Sequence, residues 1–270
     1  LAYAQGKFDL TIALLATVTT LLLQILSNFA NDLGDFSNGV DNSDRKVALR
    51  AVQTGKISQE EMRTAVMWTA VLSFSSGLTL LFLGLKNATI EVWGTFLGLG
   101  VASIAAAIAY TVGKRPYGYM GLGDLSVFLF FGLIGTVGTY YLQTFSLNIA
   151  VFLPASGCGF LSVAVLNLNN LRDIENDIKT GKNSIPVRIG KTFGFYYQQF
   201  LYLAAIACFY AYPFVAGIKV TGVQQLLIVG VYPIIQLSRE LNSGMSAAQI
   251  DPYLKKTALR TLFLILVFGA

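Results

Sequence analysis

The chain contains no histidine and few charges: Asp, Glu, Lys and Arg make up 12% of its 270 residues, against about 25% in an ordinary soluble domain. Without histidine there is no His-ligated haem, no His-based zinc site and no Ser/His or Cys/His catalytic pair. So little charge in a chain that is 54% hydrophobic, with a mean hydropathy of +0.62, excludes a soluble globule. It excludes intrinsic disorder as well, which needs low hydrophobicity and high charge. The only cysteines, Cys158 and Cys208, both lie inside apolar runs and read as small buried hydrophobes rather than as a disulfide or a metal pair. Nothing at the N-terminus has the charged start and cleavage site of a signal peptide. Any chemistry therefore falls to Asp, Glu, Lys, Arg, Tyr or Asn, and the solvent is the bilayer.

What is abundant is long apolar runs. A transmembrane helix needs about 20 largely apolar residues, and eight runs near that length follow one another: Leu10 to Leu26, Ala65 to Leu85, Val92 to Val112, Leu125 to Leu142, Ile149 to Leu166, Phe195 to Val215, Val220 to Leu237 and Thr257 to Ala270. The runs are continuous rather than alternating, which favours helices over barrel strands. The expected fold is all-α, a polytopic transmembrane helical bundle forming one domain over residues 1–270, with two pseudo-equivalent halves at roughly 1–142 and 143–270. The last run stops after 14 residues and the chain opens on Leu1, so both ends read as cut, with a further helix expected before Leu1.

Labelling the segments between runs alternately puts residues 27–64, 113–124, 167–194 and 238–256 on one side of the membrane. With Arg260 counted there, that side holds 16 of the 19 Lys and Arg. By the positive-inside rule it is cytoplasmic, and the net charge of +5 reads as membrane orientation, not as nucleic-acid binding. The acidic residues collect on the same side, 12 of 14, although that rule does not require it.

They do so in two clusters. If the first helix continues past its apolar run, Asn28, Asn31, Asp32 and Asp35 share one face at i, i+3, i+4 and i+7. In the second cluster Asn169, Asp173 and Asp177 follow i, i+4, i+8, with Arg172, Lys179, Lys182, Ser184 and Arg188 close by. Four crossings separate the clusters, an even number, so both belong to the same side and are expected to confront each other across one cavity mouth. One or two carboxylates per helix is the donor pattern of Mg²⁺, which keeps waters and is completed by substrate phosphate oxygens. Lys114, Arg115, Arg172, Lys182 and Arg188 are placed to meet the other oxygens of a diphosphate. Carboxylates beside lipid are costly and ask for a function, which applies to Asp35, Asp173 and Asp177; Asp32 is a secondary candidate. Glu60, Glu61, Glu175, Glu240 and Asp251 read as ordinary solvated charges. Asp41 and Asp44 are equally compatible with ligands, a lid over the site or a plain loop.

At these residues the chain resembles the UbiA-type intramembrane prenyltransferases, and within them the branch acting on 1,4-dihydroxy-2-naphthoate. The resemblance covers nearly the whole chain. It rests on Asn31-Asp32-x-x-Asp35-x-x-x-Gly39-x-Asp41, on Asn170-x-Arg172-Asp173-x-x-x-Asp177-x-x-x-Gly181-Lys182, and on the stretch from Tyr110 through Lys114-Arg115-Pro-Tyr117-Gly-Tyr119 to Leu122-Gly123-Asp124. Gly39 stands where the 4-hydroxybenzoate branch has a third aspartate, and that branch's basic signature is absent after Asp44-Arg45; both differences favour the naphthoate branch. Leu33 and Ser184 replace the Tyr and Thr frequent there.

The resemblance implies a bundle of about nine helices and Mg²⁺-dependent transfer of a polyprenyl group from its diphosphate to an aromatic acid, with decarboxylation to demethylmenaquinone. It implies a site at the cytoplasmic face of a bacterial inner membrane. The expected metal residues are Asn31, Asp32, Asp35, Asp173 and Asp177. Substrate contacts fall to Asn28, Asn31, Lys114, Arg115, Arg172 and Lys182, and Asp35, Asp173 and Tyr119 are the catalytic candidates. Tyr119 has two open roles, touching the aromatic acceptor or fixing an aspartate. Lipid is the remaining partner, because a long isoprenoid tail lodged among apolar helices avoids about 0.8 kcal/mol per exposed CH₂. The rival classes are a prenyltransferase for another acceptor such as 4-hydroxybenzoate, an ion-coupled secondary transporter and a structural subunit of a membrane complex. A transporter would place carboxylates at mid-span, whereas every carboxylate here falls at a segment end or in a loop.

Overall fold

The computed structural model describes residues 1–41, 49–218 and 223–269. The described residues are helical, with no strand. The long helices are α1 (Leu10–Ser37), α2 (Gln59–Gly84), α3 (Ile90–Ala109), α4 (Gly123–Thr144), α5 (Phe152–Thr180), α7 (Lys191–Val215), α8 (Val223–Glu240) and α9 (Ala247–Gly269), with a short α6 at Ile185–Ile189. Each expected run thus overlaps a helix among the described residues, with Val220 to Gly222 and Ala270 of the last two runs outside them. Six of them, α1 to α5 and α7, are long and apolar enough to cross a membrane, α5 counted from Ile149; the chain is an integral membrane protein. The last two expected spans are helical but more polar, since α9 carries Asp251, Lys255, Lys256 and Arg260 before its apolar stretch.

Two departures from the apolar runs position the site. Helix α1 continues eleven residues past Leu26 to Ser37, and α5 continues fourteen past Leu166 to Thr180, so both acidic clusters ride on helices. In α4 the stretch Phe128–Ile134 winds as a π-helix between α-helical ends, a local over-wide turn that hydropathy does not encode.

The structure divides into two compact units, residues 1–123 with 138–146, and residues 124–137 with 147–270. In the first, Asp9 starts α1 by accepting from the Thr11 and Ile12 amides at 2.8 and 3.1 Å, and Ser58 with Glu61 forms a capping box on α2. Leu26, Ala30, Leu33, Val52, Met62 and Val66 make a buried cluster around the α1 end. Gly34 lets the chain after α3 come within reach, because a Cβ there would stand 2.6 Å from the backbone carbonyl of Thr111.

The second unit packs α5 against α7 and α9 around Leu161, Leu168, Leu171, Leu201, Tyr202, Phe209, Ile234, Leu237, Ile250 and Leu264. Small residues bring α5 and the π-helical stretch of α4 together: a Cβ on Gly132 would lie 2.6 Å from Gly159 Cα, the close approach favoured between membrane helices. Buried polar bonds add direction. Asn167 Nδ2 donates to Gln198 Oε1 at 2.8 Å and to Gly194 O at 3.0 Å, and the hydroxyls of Tyr202 and Thr257 meet at 3.0 Å.

Candidate active site

The acidic helix ends share one backbone device. At the end of α1, Gly39 takes φ +73°, Gly39 N donates to Phe36 O and Val40 N to Asp35 O. At the end of α5, Gly181 takes φ +74°, Gly181 N donates to Ile178 O and Lys182 N to Asp177 O. Both are Schellman ends, which need a left-handed residue and therefore favour glycine. Each leaves an aspartate, Asp35 or Asp177, four residues before the turn and reverses the chain over it.

In the first unit Asp35 is almost fully buried, at 1% exposure. Its Oδ1 accepts from the Tyr119 hydroxyl at 2.6 Å, and its Oδ2 lies 2.8 Å from Arg50 Nη2. Arg50 Nε is 3.5 Å from Asp41 Oδ2, so one guanidinium serves two buried carboxylates. Burial, followed by the charge of Asp35 and its hydrogen bond, pushes the Tyr119 phenol well above its ordinary pKa, so Tyr119 stays a proton donor. Asp32 is also buried; its Oδ2 accepts from Ala51 N at 3.2 Å, while Oδ1 has no hydrogen-bond partner among the described residues. Thr111 Oγ1 donates to Ala30 O at 2.9 Å and reaches Asn31 Oδ1 at 3.2 Å, and Asn38 Nδ2 donates to Thr111 O at 2.9 Å. Asn28 is exposed and accepts from Gln24, and Lys114 and Arg115 are exposed on the chain between α3 and α4.

In the second unit Arg172 grips Asp173 with two nitrogens, Nε to Oδ1 at 2.8 Å and Nη2 to Oδ2 at 2.9 Å. Nη2 also meets Asn169 Oδ1 at 2.8 Å and Nη1 meets Asp251 Oδ1 at 2.7 Å. Each guanidinium nitrogen thus faces a protein oxygen. The buried Lys182 ammonium is 3.8 Å from Asp177 Oδ1, and Ser184 Oγ is 3.5 Å from Asp177 Oδ2. Asn170 is 3% exposed, and its Oδ1 has no hydrogen-bond partner among the described residues. Arg188 is exposed. Asp124 accepts from the Tyr197 hydroxyl at 2.9 Å.

Asp44 and Arg45 lie outside the described residues. The sequence did not single out Arg50 or Thr111, and it read Asp251 as a solvated charge. Arg50 and Thr111 meet the cluster through folds of the chain rather than through a helical repeat, and Asp251 gave only the weak signal of being the sole acidic residue in α9.

Among the described residues no three acidic side chains converge into a metal cage. Mg²⁺ seldom uses one; it takes one or two carboxylates, waters and substrate phosphates. Among the described residues Asp32 Oδ1, on the helix of Asp35, and Asn170 Oδ1, on the helix of Asp173, are buried without a hydrogen-bond partner, and each helix end taken by itself has the hard-oxygen donors that Mg²⁺ takes.

A protein-family model for UbiA prenyltransferases matches residues 1–249. The chain belongs to the UbiA prenyltransferase family. Across 268 residues this UbiA-family chain is 41% identical to the 1,4-dihydroxy-2-naphthoate octaprenyltransferase of Haemophilus influenzae, covering 99% of this chain and 85% of that protein. It is 42% identical to the enzyme of the same name from Escherichia coli, covering 99% and 86%. Family and relatives together make it an aromatic prenyltransferase. A solved structure of digeranylgeranylglyceryl phosphate synthase shares the fold, with a TM-score of 0.55 at 18% identity, over 97% of this chain and 85% of that one.

Proposed function

We propose that this UbiA-family enzyme transfers a polyprenyl group from polyprenyl diphosphate to 1,4-dihydroxy-2-naphthoate, with loss of CO₂, to give demethylmenaquinone. The observation that carries this reading is near-full-length identity above 40% to two relatives bearing that activity in their names. In the reaction the allylic C–O bond breaks and its electron pair leaves with diphosphate. The electron-rich ring then forms the new C–C bond, and departure of its carboxyl group as CO₂ restores aromaticity.

The charge that develops on the leaving diphosphate must meet preorganised positive charge and hydrogen-bond donors. Lys114, Arg115 and Lys182 are the cations assigned to it, and Asn28 is assigned to the substrate as well. Lys182 is the most constrained, buried and turned back over α5 by the Gly181 end. Asn31, Asp32 and Asp35 in the first unit and Asp173 and Asp177 in the second would hold Mg²⁺, which when bound would offset the charge building on the diphosphate. Tyr119 fixes Asp35, the second of its two open roles, and Arg172 fixes Asp173. The 32 Phe and Tyr residues supply ring faces able to stabilise a cation, and the apolar helices keep water from it. The excess of Lys and Arg in the long segments assigns the acidic ends to the cytoplasmic side of a bacterial inner membrane.

Chelation with EDTA should stop prenyl transfer in membranes holding the protein, and added Mg²⁺ should restore it. Asp35→Ala and Asp173→Ala should each remove the activity while the protein still inserts. Full activity in EDTA, or in either variant, contradicts the metal assignment.

A further inference from the structure

Arg172 is an unusual resident of this membrane protein: its side chain is 5% exposed, yet it carries a full charge, and two carboxylates and an amide oxygen surround it. Asp173 and Asn169 come from its own helix. Asp251 comes from α9, 79 residues away in sequence, and its contact with Nη1 at 2.7 Å is the shortest of the four. Its side chain is 42% exposed while that of its partner is buried.

A guanidinium held only by Asp173 would cancel that residue's charge and leave little to attract a divalent cation. A second carboxylate on the opposite edge of the guanidinium changes this balance. Arg172, Asp173 and Asp251 together carry one net negative charge, and Asp173 keeps its share of it. Asp251 also fixes the rotation of the guanidinium plane, so that the Nε and Nη2 edge stays on Asp173.

We propose that Asp251 is a positioning residue for the reaction: acting through Arg172, it orients Asp173 and leaves that carboxylate with enough charge to take up Mg²⁺ with the prenyl diphosphate. The inference rests on the Mg²⁺ reading given above. It assigns a role in the site to α9, a helix that otherwise contributes packing around Ile250 and Leu264.

The test is a Mg²⁺ titration of the purified full chain in lipid nanodiscs, at a fixed saturating concentration of a non-hydrolysable prenyl thiodiphosphate, reading the melting temperature. Ligand-linked stabilisation reports binding without turnover. Asp251→Asn should raise the half-saturating Mg²⁺ concentration about tenfold, and Asp251→Glu should return it to within about threefold of the wild type. Steady-state assays should show the same rise in the Mg²⁺ requirement, with the KM for the aromatic acceptor unchanged. If Asp251→Asn lowers the Mg²⁺-free melting temperature but leaves half-saturation where it was, Asp251 only braces the fold and the proposal is overturned. Should Asp251→Asn fail to accumulate, Asp251→Ser carries the same comparison. A wild-type protein with no Mg²⁺-dependent shift would instead defeat the metal reading itself, separately from any effect of Asp251.

Discussion

Asp35 shows how single side chains set up the site. A carboxylate at 1% exposure survives only with charged or donating neighbours, and Arg50 and Tyr119 are those neighbours. Tyr119→Phe removes one charge-assisted hydrogen bond, worth about 1.5–3 kcal/mol, so kcat should fall by about tenfold to a hundredfold with the acceptor KM unchanged. A rise confined to the acceptor KM would show that Tyr119 touches the aromatic ring instead. The residues of the first motif were legible because helical spacing alone places Asn31, Asp32 and Asp35 together. Arg50 was not: it stands 15 positions beyond Asp35, and no local period links the two. Asp251 read as a solvated charge, and its contact with Arg172 was out of reach because that residue lies on another helix.

Helix length and helix ends matter more than the helices' existence, which the apolar runs announced. Hydropathy stops at Leu26 and Leu166, but the backbone continues to Ser37 and Thr180, because packing of Leu33 and Leu171 and the glycine-closed ends make the extra turns worthwhile. Gly181 sits at φ +74° with open space around it, so Gly181→Ala costs backbone strain rather than a clash, about 1–2 kcal/mol. It should lower the melting temperature modestly and raise the KM for prenyl diphosphate, since Lys182 and Ser184 reach Asp177 only through that turn. Gly132→Val meets no such tolerance: its Cβ would press on Gly159 Cα at 2.6 Å and Ala155 O at 2.9 Å. Overpacking of this kind costs about 1–3 kcal/mol or more. The variant should show a lower melting temperature than Gly181→Ala, as thermal unfolding in detergent would register. The π-helical stretch at Phe128–Ile134 was illegible in advance, since it answers to tertiary contact and not to hydropathy.

For the molecule as a whole, two compact units each present an acidic helix end closed by the same glycine turn, and each aspartate cluster is held by an arginine. Composition alone identified the bilayer as solvent and excluded histidine chemistry. What a sequence of this composition does not encode is the acceptor, because ring recognition depends on a few contacts scattered along the chain. Product analysis resolves that directly: membranes containing the full chain receive labelled polyprenyl diphosphate, Mg²⁺ and equal amounts of 1,4-dihydroxy-2-naphthoate, 4-hydroxybenzoate and homogentisate. The expected result is label chiefly in a decarboxylated naphthoquinol, with matching release of CO₂. Label chiefly in another acceptor, or in none while a known naphthoate prenyltransferase works in parallel, would contradict the account.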